Sequence, residues 1–316
     1  MTGEKDTVTF ADLKEKNTAE ASYNCGAFLS LFWLFGCVFL SLFISPKASV
    51  YVSDGLRLCI NRVVPSIFPF IIISDIYSAY GHPERINFLS FLFNKVFFIN
   101  KIGISAYLTG ILCGFPLGAR VALQLFEAGC ISKDEAERLI AFSSQPSPAF
   151  IISAVGASML HSTRLGLILF ISVILSSIIC GLFLRKKEVC CFEAEFTEHL
   201  PFNPVNSIKS AGSSTLSICS FIITFSVVCG LVKDYLPFPF SDFLLLFLEV
   251  SSGANYFSSL PFGLTPFLAI AFCLGFGGFS VMLQSKSIIQ GSPLSLKTYI
   301  PIKIVQGLLC TVFALV

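Results

Sequence analysis

Apolar runs separated by short charged stretches fill most of this chain, and the run lengths predict membrane-inserted helices rather than a soluble core. Residues 1–24 carry Glu4, Lys5, Asp6, Asp12, Lys14, Glu15, Lys16 and Glu20 and are expected to form a polar tail. Residues 27–45 are uncharged and close to the ~20 residues a helix needs to cross a bilayer. The acidic residues before this run, and the lack of a small-residue cleavage pattern, weigh against its removal as a signal peptide. Residues 50–62, with Asp54, Arg57 and Arg62, suit an interfacial amphipathic helix, and 63–80 re-enter the membrane with bends at Pro65 and Pro69. Residues 88–99 are a short apolar segment. Further apolar segments are expected at 102–126, 139–160, 165–184, 216–232, 243–250, 265–283 and 299–316. Some are too short to cross alone, so the pattern predicts an all-α polytopic membrane protein of about eight inserted segments, some of them re-entrant.

Two of these runs are interrupted. Cys113-Gly-Phe-Pro-Leu-Gly-Ala-Arg120 breaks the first, and Ser143-Ser-Gln-Pro-Ser-Pro148 breaks the second. Backbone released from helical bonding at membrane depth persists only where protein or a watery cavity supplies partners, so these breaks are candidate binding or permeation sites. Between them, Ser132-Lys-Asp-Glu135 has the spacing of a capping box and should start a polar helix. Arg185, Lys186 and Lys187 favour a cytoplasmic end for the 165–184 span. The polar stretch 188–204 divides a first half, 25–187, from a second half, 205–316. Phe70-Ile-Ile-Ile resembles Phe221-Ile-Ile-Thr, and Gly114-Phe-Pro-Leu-Gly resembles Gly275-Phe-Gly-Gly-Phe, which suggests two related halves.

Composition narrows the function classes. Hydrophobic residues make up 54% of 316, charged residues 13%, and the mean hydropathy is +0.81. The lipid bilayer is therefore the first partner. A net charge of +2 without a clustered basic face argues against nucleic acid. The 12 cysteines lack paired CxxC spacing and the three histidines lack ligand spacing, so neither a metal site nor a cofactor is expected. No Walker loop, HExxH or GxSxG appears, and no catalytic residue is assigned.

The polar residues at the breaks carry the candidate chemistry. Pro116 suits a helix start, Gly114 and Gly118 allow close backbone approach, and free amides there favour an anionic group with Arg120 as a bidentate partner. The alternative has the glycines packing helices while Arg120 snorkels. Ser143, Ser144, Gln145 and Ser147 offer hydroxyl and amide groups beside two prolines, as substrate ligands or as a polar hinge. In the second half the candidates are Glu249 with Asn255, and Gly277, Gly278, Ser280 and Gln284. Glu249 reads either as a functional intramembrane carboxylate or as a residue at the headgroup boundary.

Gly114-Phe-Pro-Leu-Gly-Ala-Arg120, the Gly129-Cys-Ile-Ser-Lys-Asp-Glu-Ala-Glu-Arg-Leu139 run, and Ala141-Phe-Ser-Ser-Gln-Pro-Ser-Pro-Ala-Phe150 with Val155-Gly156 together resemble the nucleoside-recognition (Gate) domain of the YlbJ-type sporulation membrane proteins. Gly275-Phe-Gly-Gly-Phe-Ser280 with Gln284, and Lys303-Ile-Val-Gln-Gly307, look like that family's C-terminal pattern, so the similarity covers about residues 50–316, with the Gate-like segment at about 102–160. The resemblance implies a multi-pass cell-membrane protein of spore-forming Firmicutes, in the outer forespore membrane during sporulation, related in its Gate modules to concentrative nucleoside transporters. For the branch also called SpoVV it implies passage of a small anionic metabolite, dipicolinic acid. Ser143 and Ser144 stand where the family often has an Asn pair, and Met282 stands where it has a His, which bears on substrate identity. Nucleoside transport and a non-transporting sporulation scaffold are the alternatives. Coupling ion and oligomeric state have no signature in the sequence.

Overall fold

The computed structural model describes residues 47–65, 67–69, 71–73, 87–186 and 203–316. The expected polar tail at 1–24, the expected span at 27–45, all of 74–86 and nearly all of the 188–204 linker lie outside these residues. The described residues are helical, with no strand among them. Tyr51–Val316 forms one compact unit. The first helix, α1 (Ala48–Leu58), continues into a π-helical turn over Cys59–Val63.

Next come α2 (Asn87–Phe97), α3 (Ile104–Cys113), α4 (Leu117–Glu127) and α5 (Lys133–Ser143). They are followed by the π-helical α6 (Ala149–Met159) and by α7 (Thr163–Phe183). After the linker come α8 (Pro204–Tyr235), α9 (Phe240–Leu248), α10 (Val250–Ser259), α11 (Leu264–Phe276), α12 (Gly278–Ile288) and α13 (Tyr299–Phe313).

Among the described residues, three stretches are long and apolar enough to cross a membrane: Thr163–Phe183, Pro204–Tyr235, and the broken pair Leu264–Ile288. A fourth arises if Ser90–Phe97 and Lys101–Cys113, bent by 104°, count as one span. On α7, Leu167, Ile171, Leu175 and Leu182 face outward at helical spacing while Leu169, Ser172, Val173, Ser176 and Cys180 are buried, the division expected of a span with lipid on one side. The chain is membrane-embedded.

Local chemistry sets the element ends. Ser132 accepts from Glu135 N at 3.2 Å while Glu135 accepts from Ser132 N at 2.8 Å, the reciprocal cap read from the sequence. The other oxygen of buried Glu135 takes Asn100 N at 2.8 Å. Arg138 donates to the carbonyls of Phe97 and Phe98 at 3.2 and 3.1 Å, so α5 ties down the end of α2. The chain folds back between α3 and α4, where a Cβ on Gly118 would stand 2.9 Å from Gly110 Cα and 2.9 Å from Ser143 Oγ.

Packing between early and late helices comes in matched pairs. The span α7 packs on α11 and on α13, and α13 packs on α5. Likewise α6 packs on α10, and α12 on α4. These contacts bring four helix breaks to the interior.

Candidate functional site

The first break follows Cys113. Gly114 adopts φ 82° and ψ −178°, a conformation that L side chains rarely take, and a Cβ there would stand 2.8 Å from Ser147 N. Phe115 N donates to Gln145 O at 2.8 Å, so a backbone bond joins the first break to the second. The Phe115–Pro116 peptide is cis, and α4 starts immediately beyond it.

The second break, 144–148, separates α5 from α6. Pro146 and Pro148 have no amide donor, which leaves helix-end carbonyls without intrahelical partners. Ser144 Oγ donates to Ile140 O at 2.7 Å, and Ser147 Oγ accepts from Phe150 N at 3.3 Å. The hydroxyl of Ser143 and both amide atoms of Gln145 are buried without a hydrogen-bond partner.

Glu249 alone forms the third break, between α9 and α10. Its carboxylate accepts from Ser251 N at 2.9 Å and Ser252 N at 2.6 Å, which caps α10 and places negative charge at the positive end of that helix. At 2% exposure it lies inside protein rather than at the chain's surface.

The fourth break is Gly277 and Gly278, with φ 84° and 88°. A Cβ on Gly278 would stand 3.0 Å from Leu248 O and 3.1 Å from Glu249 Cα, so the fourth break is pressed against the third as the first is against the second.

The first three breaks, together with Val281 and Gln284 from the helix that follows the fourth, border one cavity about 30 Å³ in volume, with room for a water molecule or two. Gly114, Phe115, Ser147, Glu249, Ser251 and Gln284 line it, with apolar walls that include Val63 and Ile67 after α1 and Ile218 and Ile222 on α8. Gln284 Nε2 donates to Ser280 Oγ at 3.3 Å, and its Oε1 has no partner. The lining contains one carboxylate and no cationic side chain.

The residues singled out from sequence fall into three groups. Gly114, Ser147, Glu249 and Gln284 line the cavity. Pro116, Gly118, Ser143, Ser144, Gln145, Gly277, Gly278 and Ser280 are buried in or beside the four breaks. Two stand elsewhere. Arg120 is half-buried against α8, its guanidinium near Ser210 Oγ at 3.1 Å and Ser214 Oγ at 3.4 Å, and Asn255 is exposed on α10.

Lys303 was not singled out as a site residue, although it is fully buried and its amine donates to Ser144 O and, at 2.8 Å, to Gln306 Oε1. The available signal was a lysine inside the apolar 299–316 run with no acidic residue near it in sequence.

Interrupted helices packed around a small, largely apolar cavity beneath an apolar outer surface define an α-helical integral membrane protein organised around helix breaks. The chain is similar to the sporulation integral membrane protein YlbJ of Bacillus subtilis (strain 168), 26% identical over 316 aligned positions that cover 85% of this chain and 78% of that one. No family model matches this chain, and no solved structure matches it.

Proposed function

We propose that this chain serves sporulation by passing a small anionic metabolite across the membrane, with dipicolinic acid as the candidate that the family resemblance implies. The observation that carries the proposal is the meeting of three helix breaks, and of the helix that follows a fourth, around one cavity. Such breaks expose backbone groups at membrane depth, and their burial is favourable only where they serve one another or a solute. A cavity of about 30 Å³ is too small for a ring-bearing acid, so passage requires the breaks to part, by gating or by alternating access. The matched packing of α7 on α11 with α13 on α5, and of α6 on α10 with α12 on α4, supports two related halves that rock against each other. In this reading the Gate-like segment lies within the first of them, and no catalytic step is involved.

The carboxylate in the cavity favours a second reading, in which the solute is a neutral nucleoside whose hydroxyl and base N–H groups donate to Glu249. Reconstitution into liposomes with labelled dipicolinate and labelled uridine separates the two. If the solute is a dianion, Glu249→Gln removes a like charge and raises dipicolinate flux several-fold. If it is a nucleoside, the same change replaces one accepting oxygen with a donating amide and lowers uridine flux. Flux of both solutes at the level of empty liposomes would end the transport proposal and leave the scaffold reading.

A further inference from the structure

Lys303 sits where two interrupted helices end. Its amine donates to the carbonyl of Ser144, the residue directly after α5. Its Cε stands 3.7 Å from the position a Cβ on Gly277 would take, at the end of α11. The C-terminal end of a helix carries partial negative charge on carbonyls that lack intrahelical partners, so the amine faces one such end directly while its stem lies beside another. The amine's second oxygen partner is the side-chain amide of Gln306, on Lys303's own helix. No carboxylate forms an ion pair with Lys303 among the described residues. Next to Ser144, the Ser143 hydroxyl and the Gln145 amide oxygen are fully buried and have no partner.

A set of neutral oxygens at unwound helix ends, with no carboxylate, is what a small hard monovalent cation takes in a membrane protein. We propose that these oxygens form a monovalent-cation site, of the kind that would take Na+, and that Lys303 fills it with a tethered ammonium in place of a dissociable ion. The chain thus carries its own counter-charge for α5 and α11. The inference rests on the geometry around Ser144 and holds whether or not a solute crosses the membrane.

The test is thermal unfolding of the purified full chain in detergent, with NaCl exchanged for choline chloride at constant ionic strength. The wild type should melt at the same temperature in both salts. Lys303→Ala, which opens the space, should melt at least about 5 °C lower in choline and recover most of that loss as Na+ is titrated in, along a saturable curve. Lys303→Met fills the space with an apolar chain and should stay low in both salts. A saturable Na+ stabilisation of the wild type would overturn the proposal, because the site would then bind a free ion with the lysine present. So would equal melting of Lys303→Ala in Na+ and choline, or failure to recover Lys303→Ala even when it is extracted in NaCl. Solute flux is not measured, so loss of the transport reading would leave this result standing.

Discussion

At the scale of single residues, the site depends on positions where a side chain has no room. Gly114 combines a positive φ with an approach to Ser147 N that leaves a Cβ only 2.8 Å of space. Gly114→Ala should therefore strain the turn and push the second break away, at a cost of about 1–3 kcal/mol. A lower melting temperature of the purified variant checks this, and an unchanged one would show that the two breaks are not in mutual contact. Arg120 illustrates why a residue's position in sequence does not fix its role. Its place one turn into α4 is readable from the chain, but which face of α4 meets the cavity is set by α8, whose Ser210 and Ser214 take the guanidinium. Arg120→Ala should accordingly leave the ratio of dipicolinate to uridine flux within about twofold of wild type, since a charge outside the cavity adds little to discrimination within it. A larger change in that ratio would put the guanidinium back in the solute's path.

The helical elements differ in how far their chemistry can be read locally. The start of α5 was legible because Ser132 and Glu135 complete a cap within four residues. Here we expect Ser132→Ala to cost about 1 kcal/mol, and Glu135→Ala to cost more, because Glu135 also holds Asn100 N across to the preceding turn. Melting temperatures of the two variants compare them directly, and equal losses would show that the Asn100 bond adds nothing. The breaks at Gly114–Pro116, 144–148 and Gly277–Gly278 were legible because glycine and proline change what the backbone can do without help from elsewhere. The break at Glu249 has neither residue. It exists because the carboxylate caps the helix that follows, which sequence shows only as an acidic residue before serines. The π-helical winding of α6 had no local signature, and α6 packs tightly on α7, where a Cβ on Gly156 would stand 2.5 Å from Gly166 Cα.

For the molecule as a whole, the charges inside the membrane region balance in a way that no single run of sequence reveals. Glu249 supplies negative charge to the start of α10, and Lys303 supplies positive charge near the ends of α5 and α11, each beside a different pair of breaks. The lysine in the last apolar helix stands out in the sequence, but its role does not, because its partner, the Ser144 carbonyl, lies 159 positions away. If solute does pass between these breaks, the two fixed charges have a consequence for energetics. A transporter driven by Na+ must release that ion in each cycle, whereas an amine tethered to α13 cannot leave. Wild-type proteoliposomes should then show dipicolinate flux that an inward Na+ gradient changes by less than about twofold, because a ligand that does not bind shifts no equilibrium. Lys303→Ala should show flux that rises with Na+, as the vacated oxygens admit the ion and restore the charge balance at α5 and α11. Wild-type flux that tracks the Na+ gradient would mean a dissociable ion binds elsewhere in the chain, and the fixed-charge account of its energetics would fail.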